Sequence, residues 1–142
     1  MAIRYISRNG SVTAINTFTL LTLDSGATAL PSERMPTTAT RIVQISVTFG
    51  GHTPDTTLCG GDFLVRLTGN AVKDTEAAIP VYGVSMAVNT AGASGCIVGP
   101  LVKEVDIPLR PNELLNIGFE QLGGVIFGAS GFEAHVVVGV EY

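Results

Sequence analysis

The chain has 142 residues but only 20 charged side chains, and its formal net charge is −4. An average soluble domain of this length carries about 35 charged residues, so this one is unusually poor in charge. Its eight basic residues are scattered singly. This argues against a nucleic-acid partner, because a duplex is bound by replacing its counterions with Lys and Arg. Since 46% of the residues are hydrophobic, either neutral polar residues such as Thr, Ser and Asn make up much of the surface, or part of the surface is buried against other chains. We expect the second, a subunit of a larger assembly.

Short segments with alternating apolar and polar residues recur along the chain, and none has the sustained 3.6-residue period of a helix. Alternation with period two is typical of antiparallel strands that bury one face. The predicted strands are, in chain order, Ile3–Ser7, Val12–Leu23, Arg41–Phe49, Phe63–Thr68, Pro80–Val88, Val102–Leu109, Leu115–Phe119, Gly124–Phe127 and Ala134–Tyr142.

Two of these segments show the pattern most clearly. In Arg41–Phe49, one predicted face carries Val43, Ile45, Val47 and Phe49. In Ala134–Tyr142, one predicted face carries Ala134, Val136, Val138, Val140 and Tyr142. We expect these faces to form much of the core.

Glycine, proline and asparagine separate the predicted strands. Asn9-Gly10 predicts a tight hairpin, because both residues tolerate positive φ. Further breaks are predicted at Gly50-Gly51, Gly123-Gly124 and Arg110-Pro111-Asn112-Glu113. Longer irregular segments are predicted at Gly50–Gly61, at Asn89–Gly95 and at Ala27–Thr40, the last as an extended arm.

Together these signals predict an all-β protein, an antiparallel β-sandwich or barrel with about eight strands, in a single domain over residues 1–142. The uncharged stretch Ala77–Val102 is long enough to cross a membrane. However, Pro80, Pro100 and four glycines favour two strands around a Gly-rich loop. We therefore expect no membrane partner.

Candidate catalytic residues are few. Asp55 and Cys59 follow His52 at three and seven residues, so a Cys–His pair is conceivable. No basic residue flanks Cys59 to lower its pKa, which argues against that pair. Glu104 and Asp106 share a predicted strand face. A solvent-facing edge, or pairing with an arginine of a neighbouring chain, explains them better than a glycosidase pair does.

The remaining polar candidates have simple structural explanations. His135 lies on the more polar face of the last strand, as a solvated imidazole or, alternatively, as a pH sensor of assembly. Two histidines and two scattered cysteines do not give the spacing of a zinc site. Cys59 and Cys96 fit small buried hydrophobes, with a single disulfide as the alternative. We expect no enzyme activity, no catalytic residues, no metal site and no cofactor.

The C-terminal half carries a strand, the turn segment Asp106-Ile107-Pro108-Leu109-Arg110-Pro111-Asn112-Glu113-Leu114, a second strand, a Gly-Gly turn and a last apolar strand. This resembles the closing strands of small jelly-roll domains. In size, composition and pattern, the whole chain resembles the cement or decoration proteins of tailed-phage capsids. Those are charge-poor all-β chains that commonly trimerise and clamp neighbouring capsid subunits. Trimeric jelly rolls of the tumour-necrosis-factor type are similar in topology but usually richer in core aromatics.

The resemblance implies a structural virion protein that lies on the capsid surface. Its implied partners are further copies of the same chain in a homo-oligomer, with a trimer favoured, and the major capsid protein.

Six of the eight basic residues are arginines, a residue favoured at protein interfaces. Two other functions fit the sequence. One is a single-jelly-roll capsid protein. The other is a carbohydrate-binding β-sandwich of a host-recognition appendage, for which Tyr5, Tyr82 and Phe132 are the candidate aromatic residues.

Overall fold

The computed structural model describes residues 2–12, 17–22, 32–51, 59–73, 77–86, 97–125 and 132–142. Every regular element in those residues is a strand, which confirms the all-β prediction. The strands are β1 Ile3–Val12, β2 Thr19–Leu20, β3 Glu33–Arg34, β4 Arg41–Gly51, β5 Cys59–Thr68, β6 Ala77–Met86, β7 Ile97–Pro108, β8 Leu114–Val125 and β9 Phe132–Glu141. Within this part of the chain no helix is long and apolar enough to cross a membrane.

The strands pair into two antiparallel sheets. The first sheet has the order β1-β9-β4-β7, and the second has the order β2-β8-β5-β6, with β3 also paired to β8. The first half of the chain pairs with the second half in reverse order, as in one long hairpin whose connection lies between β5 and β6. The pairs of this hairpin are β1·β9, β2·β8, β4·β7 and β5·β6. Two further pairs, β4·β9 and β5·β8, join these ladders into the two sheets. This strand order is that of a jelly roll, as predicted.

β2 and β3 share one edge of β8. Leu20 pairs with Gly118 and Glu33 pairs with Leu115, both antiparallel. If β2 continued in the same register, residue 23 would lie opposite Leu115. Glu33 lies there instead, so the chain has ten extra residues between β2 and β3. The prediction of an extended arm over Ala27–Thr40 is wrong for residues 32–40, which run along the sandwich and bury Met35 and Ala39. Residues 27–31 lie outside the described residues.

The hydrophobic core lies between the sheets, and the alternation predicted for three strands is confirmed there. In β5, β8 and β9 the inward residues are at most 1% exposed, and they are Val65, Leu67, Leu115, Ile117, Phe119, Ala134, Val136, Val138 and Val140. Their neighbours in sequence point outward, as a period of two requires. Tyr142, predicted to share the core face, follows the end of β9 and is 42% exposed.

β4 departs from its predicted alternation near its N-terminal end. Ile42 is fully buried, whereas Val43 is only half-buried. The cause is a β-bulge, since Ile42 and Gln44 pair with consecutive residues of β9 and leave Val43 as the extra residue. One extra residue reverses the faces of the strand on its two sides. The prediction is confirmed beyond the bulge, where Ile45 and Val47 are buried.

Two predicted glycine breaks are wrong, because Asn9-Gly10 and Gly123-Gly124 lie inside β1 and β8. The predicted break at Gly50-Gly51 is confirmed, because β4 ends there. At Gly10 the missing side chain has a packing role, because a Cβ there would lie 3.1 Å from Cδ2 of Leu21. The central residues of the predicted loops Gly50–Gly61 and Asn89–Gly95 lie outside the described residues.

The predicted turn between β7 and β8 is confirmed, and it is pinned by an arginine. Asn112 takes the positive φ of 61° that asparagine tolerates. The Arg110 guanidinium donates hydrogen bonds to the carbonyl oxygens of Asn70, Val72 and Lys73 at 3.0–3.1 Å. The turn after β5 is thereby tied to the turn before β8.

An ion-pair cluster joins the two sheets at the edge formed by β1 and β3. Glu33 of β3 accepts from Arg8 at 2.8 Å and from Arg4 at 2.5 Å, both on β1. The Arg8 side chain is only 3% exposed, whereas that of Arg4 is 46% exposed. Because β1 belongs to the first sheet and β3 pairs with the second, Glu33 holds this edge of the sandwich together.

Candidate functional site

The outer face of the first sheet carries a continuous row of side chains across all four strands. The register aligns Tyr5 of β1 with Gly139 of β9, Gly139 with Gln44 of β4, and Gln44 with Glu104 of β7. Directly paired residues lie on the same face of a sheet. An aromatic ring, an amide and a carboxylate are therefore brought together although they come from distant parts of the sequence.

The missing side chain of Gly139 shapes the middle of this row. A Cβ at Gly139 would lie 3.3 Å from Cε1 of Tyr5, 3.5 Å from Cγ2 of Ile3 and 3.6 Å from Cβ of Gln44. The tyrosine ring therefore lies against the backbone of Gly139, while the residue as a whole remains 61% exposed. Any larger residue at this position would push the ring outward.

Two irregularities deepen the face next to this row. Val43 is the bulge residue of β4, and its side chain faces the row instead of the core. On the β7 side, Ile42 pairs with Ile107 and Gln44 pairs with Glu104, so β7 has an extra residue at the same level. Val43 and Val105 line one open groove of about 410 Å³, together with Ile3, Tyr5, Arg41, Gln44, Glu104 and Glu141. β-Bulges are over-represented beside binding sites, where they redirect side chains.

An ion-pair network closes one end of the groove. Arg41 donates to Oε2 of Glu141 through Nε at 3.2 Å and through Nη2 at 3.0 Å, and its Nη1 lies 3.4 Å from Oδ1 of Asp106. The hydrogen bond with Glu141 is the main reason that the pKa of Arg41 is raised, and Asp106 adds to it. Glu104 and Asp106 were expected at a solvent-facing edge or against an arginine of a neighbouring chain. Both are exposed on β7, which is the edge strand of the first sheet, and the arginine beside Asp106 belongs to its own chain.

The other predicted polar residues fall in different places. His135 lies on the same outer face, exposed, and its Nε2 is hydrogen-bonded to the hydroxyl of Ser7. His52, Asp55 and Cys96 lie outside the described residues, and so does the side chain of Cys59. Among the described residues no three His, Cys, Asp or Glu side chains are grouped to hold a metal ion. Of the predicted sugar-binding aromatics, Tyr5 is in the groove, and the side chains of Tyr82 and Phe132 lie outside the described residues.

The outer face of the second sheet carries an apolar patch around an aromatic ring. Phe18 covers Gly118, where a Cβ would overlap its ring, and Arg66 stacks on the same ring at 5.0 Å. Leu20 and Leu114 are each 39% exposed on this face. Pairing of Leu20 with Gly118 places Phe18 and Leu20 on the same side of the sheet.

The strand order defines a jelly-roll β-sandwich. No protein-family model matches the chain, and no curated protein matches it. Among solved structures, the chain is similar to a crystal structure of FLHE over 100% of both chains, with a TM-score of 0.45 and 11% sequence identity. A similarity at that level carries no argument about function, so function is argued from the surfaces of this chain alone.

Proposed function

We propose that this chain is a structural subunit of a viral particle, a capsid cement or decoration protein that self-associates and stabilises the shell. The observation that carries the proposal is a jelly roll with very little surface charge. The chain exposes 7151 Å² and has 20 charged residues, or one for roughly 360 Å². An average composition would give one for about 200 Å². Interface cores are depleted in charge in the same way.

The six arginines are bonded within the subunit, and this bears on how subunits associate. Arginine is a residue favoured at protein interfaces, but each of the six donates to its own chain. Arg4 and Arg8 bind Glu33, Arg34 binds the carbonyl oxygen of Asn112, Arg41 binds Glu141, Arg66 binds Glu120, and Arg110 binds three carbonyl oxygens. Four of the six arginines are therefore paired with a carboxylate of the same subunit. Association between subunits is therefore driven by apolar contact, and we expect it to be insensitive to salt.

The outer face of the second sheet offers a surface for such contact. Phe18, Leu20 and Leu114 are all exposed there by more than a third of their surface. A standard interface buries about 800 Å² on each partner. Pairing this face with a second copy of the chain would bury the three side chains and leave the groove of the first sheet open to solvent.

The proposal is tested by the composition of purified particles. Quantitative mass spectrometry of virus particles isolated from the source culture should find this chain at a fixed ratio to the most abundant shell protein. A ratio below one indicates a cement or decoration protein. If this chain is itself the most abundant shell protein, it is a single-jelly-roll capsid protein instead. If it occurs only in the soluble fraction, the structural proposal is wrong.

The proposed association surface is tested by two matched substitutions. Leu20→Glu adds a charge to the outer face of the second sheet, and Val102→Glu adds one to β7 of the first sheet, where Val102 is 57% exposed. Sedimentation velocity should show that Leu20→Glu weakens self-association at least tenfold and that Val102→Glu does not. The reverse result would place the interface on the first sheet.

A further inference from the structure

We propose that the groove on the outer face of the first sheet binds a neutral pyranose sugar, the terminal residue of a glycan. This goes beyond a structural role in the shell and does not depend on it. The groove combines an exposed aromatic ring with amide and carboxylate groups at one level of the sheet. Sugars are recognised by that combination, because a pyranose has an apolar C–H face and a rim of hydroxyl groups.

Tyr5 supplies the surface for the apolar face of the sugar. Its ring is held against Gly139, and the residue as a whole is 61% exposed, so the ring is positioned and remains accessible to a ligand. The negative face of an aromatic ring attracts the weakly positive C–H groups of a pyranose. A ring that is already positioned loses little conformational entropy when a ligand stacks on it.

Gln44 and Glu104 supply the polar contacts beside the ring. Their backbone positions are directly paired across β4 and β7, and both line the groove. The amide of Gln44 both donates and accepts hydrogen bonds, and the carboxylate of Glu104 accepts two or more. A pair of neighbouring sugar hydroxyls, each a donor and an acceptor, matches this set.

The charge balance of the groove selects a neutral ligand over an anionic one. Arg41 is paired with Glu141 and Asp106, and Glu104 is the fourth charged group at this site. One positive and three negative charges leave a net charge of −2. Phosphate and acidic sugars are repelled by this field, whereas neutral hydroxyl groups are not.

The dimensions and construction of the groove fit the same ligand. Its volume of about 410 Å³ falls within the range of small-molecule sites, about 300–1,000 Å³, and accommodates one or two pyranose rings. The groove lies beside two irregularities, the bulge at Val43 and the extra residue of β7, and the absent side chain at Gly139 lets the Tyr5 ring lie against the sheet. A 13-atom methyl glycoside with the ligand efficiency of ordinary small ligands has a Kd on the order of millimolar.

The test is an NMR titration of the full chain with methyl glycosides of glucose, galactose and mannose, and with the methyl glucuronide. The glucuronide differs from the glucoside only by a carboxylate in place of the primary alcohol. We expect at least one neutral glycoside to shift the Tyr5 ring and the Gly139 amide with a millimolar Kd. The corresponding acidic sugar should bind roughly threefold or more weakly, because of the negative charge of the groove.

Two variants and a control connect binding to the groove. Tyr5→Ala should reduce the affinity at least tenfold. Gly139→Ala should also reduce it severalfold, because a Cβ only 3.3 Å from Cε1 displaces the tyrosine ring. Tyr142→Ala removes an exposed tyrosine that does not line the groove, and it should leave binding unchanged.

Two results would overturn the proposal. One is that none of the three neutral glycosides perturbs Tyr5 or Gly139 at 50 mM, about tenfold above the expected Kd range. The other is that Tyr142→Ala weakens binding as much as Tyr5→Ala, which would mean non-specific contact with exposed rings. Neither result bears on particle composition, so this proposal and the structural role fail separately.

Discussion

Removing the carboxylate of Glu33 should destabilise the fold far more than removing Arg4, the exposed partner of the same carboxylate. Glu33→Ala removes the carboxylate that the Arg8 guanidinium binds at 2.8 Å, and the Arg8 side chain is only 3% exposed. Breaking a buried ion pair costs about 3–5 kcal/mol. Glu33 itself is 24% exposed, so water partly replaces the lost carboxylate. We therefore expect a loss of about 2–3 kcal/mol in the free energy of unfolding.

The assay is urea unfolding followed by circular dichroism, with thermal unfolding as a second measurement. A loss of this size corresponds to a Tm lowered by about 5–10 °C in a domain of this length. The matched control is Arg4→Ala, which removes the other partner of the same carboxylate. Because Arg4 is 46% exposed, this change should cost less than about 1 kcal/mol. If Glu33→Ala costs no more than Arg4→Ala, the edge of the sandwich does not depend on this cluster.

Two glycine substitutions test the packing of the second sheet. Gly69→Ala should cost at least about 2 kcal/mol in urea unfolding, because Gly69 has a φ of 99° and a Cβ there would overlap the carbonyl oxygen of Leu114; a loss below 0.5 kcal/mol would contradict this geometry. Gly118→Ala should cost about 1–3 kcal/mol by displacing the Phe18 ring from beneath Arg66. Adding Phe18→Ala should recover part of the loss caused by Gly118→Ala, and strictly additive losses would show that the ring is not the obstacle.

The strand segments whose apolar and polar residues alternate regularly could be predicted from the sequence. In β8 and β9 the alternation of apolar residues is regular, and the residues assigned to the core, such as Phe119 and Val138, are fully buried. The Pro/Asn turn before β8 was also predictable, because Asn112 needs a conformation that few other residues tolerate. These features depend on local sequence and on one buried face.

The candidate groove could not be predicted because it depends on pairing between strands. Val43 continues an apolar alternation in the sequence, and only the register with β9 shows that it is the extra residue of a bulge. Gly139 gives no signal of its own, since its role is to support a tyrosine 134 positions earlier in the chain. Glycine pairs were also misleading, because Gly123-Gly124 continues a strand instead of ending it.

The central claim is that this charge-poor jelly roll is a self-associating subunit, and the native mass of the purified protein tests it most directly. Size-exclusion chromatography with light scattering should give a stable oligomer across the micromolar range, with a trimer at three times 14.7 kDa as the favoured state. Its mass should be the same in low and high salt, since the contact is apolar. A monomer at 14.7 kDa at every concentration, up to hundreds of micromolar, would contradict the claim and leave the neutral polar residues as the explanation of the low surface charge.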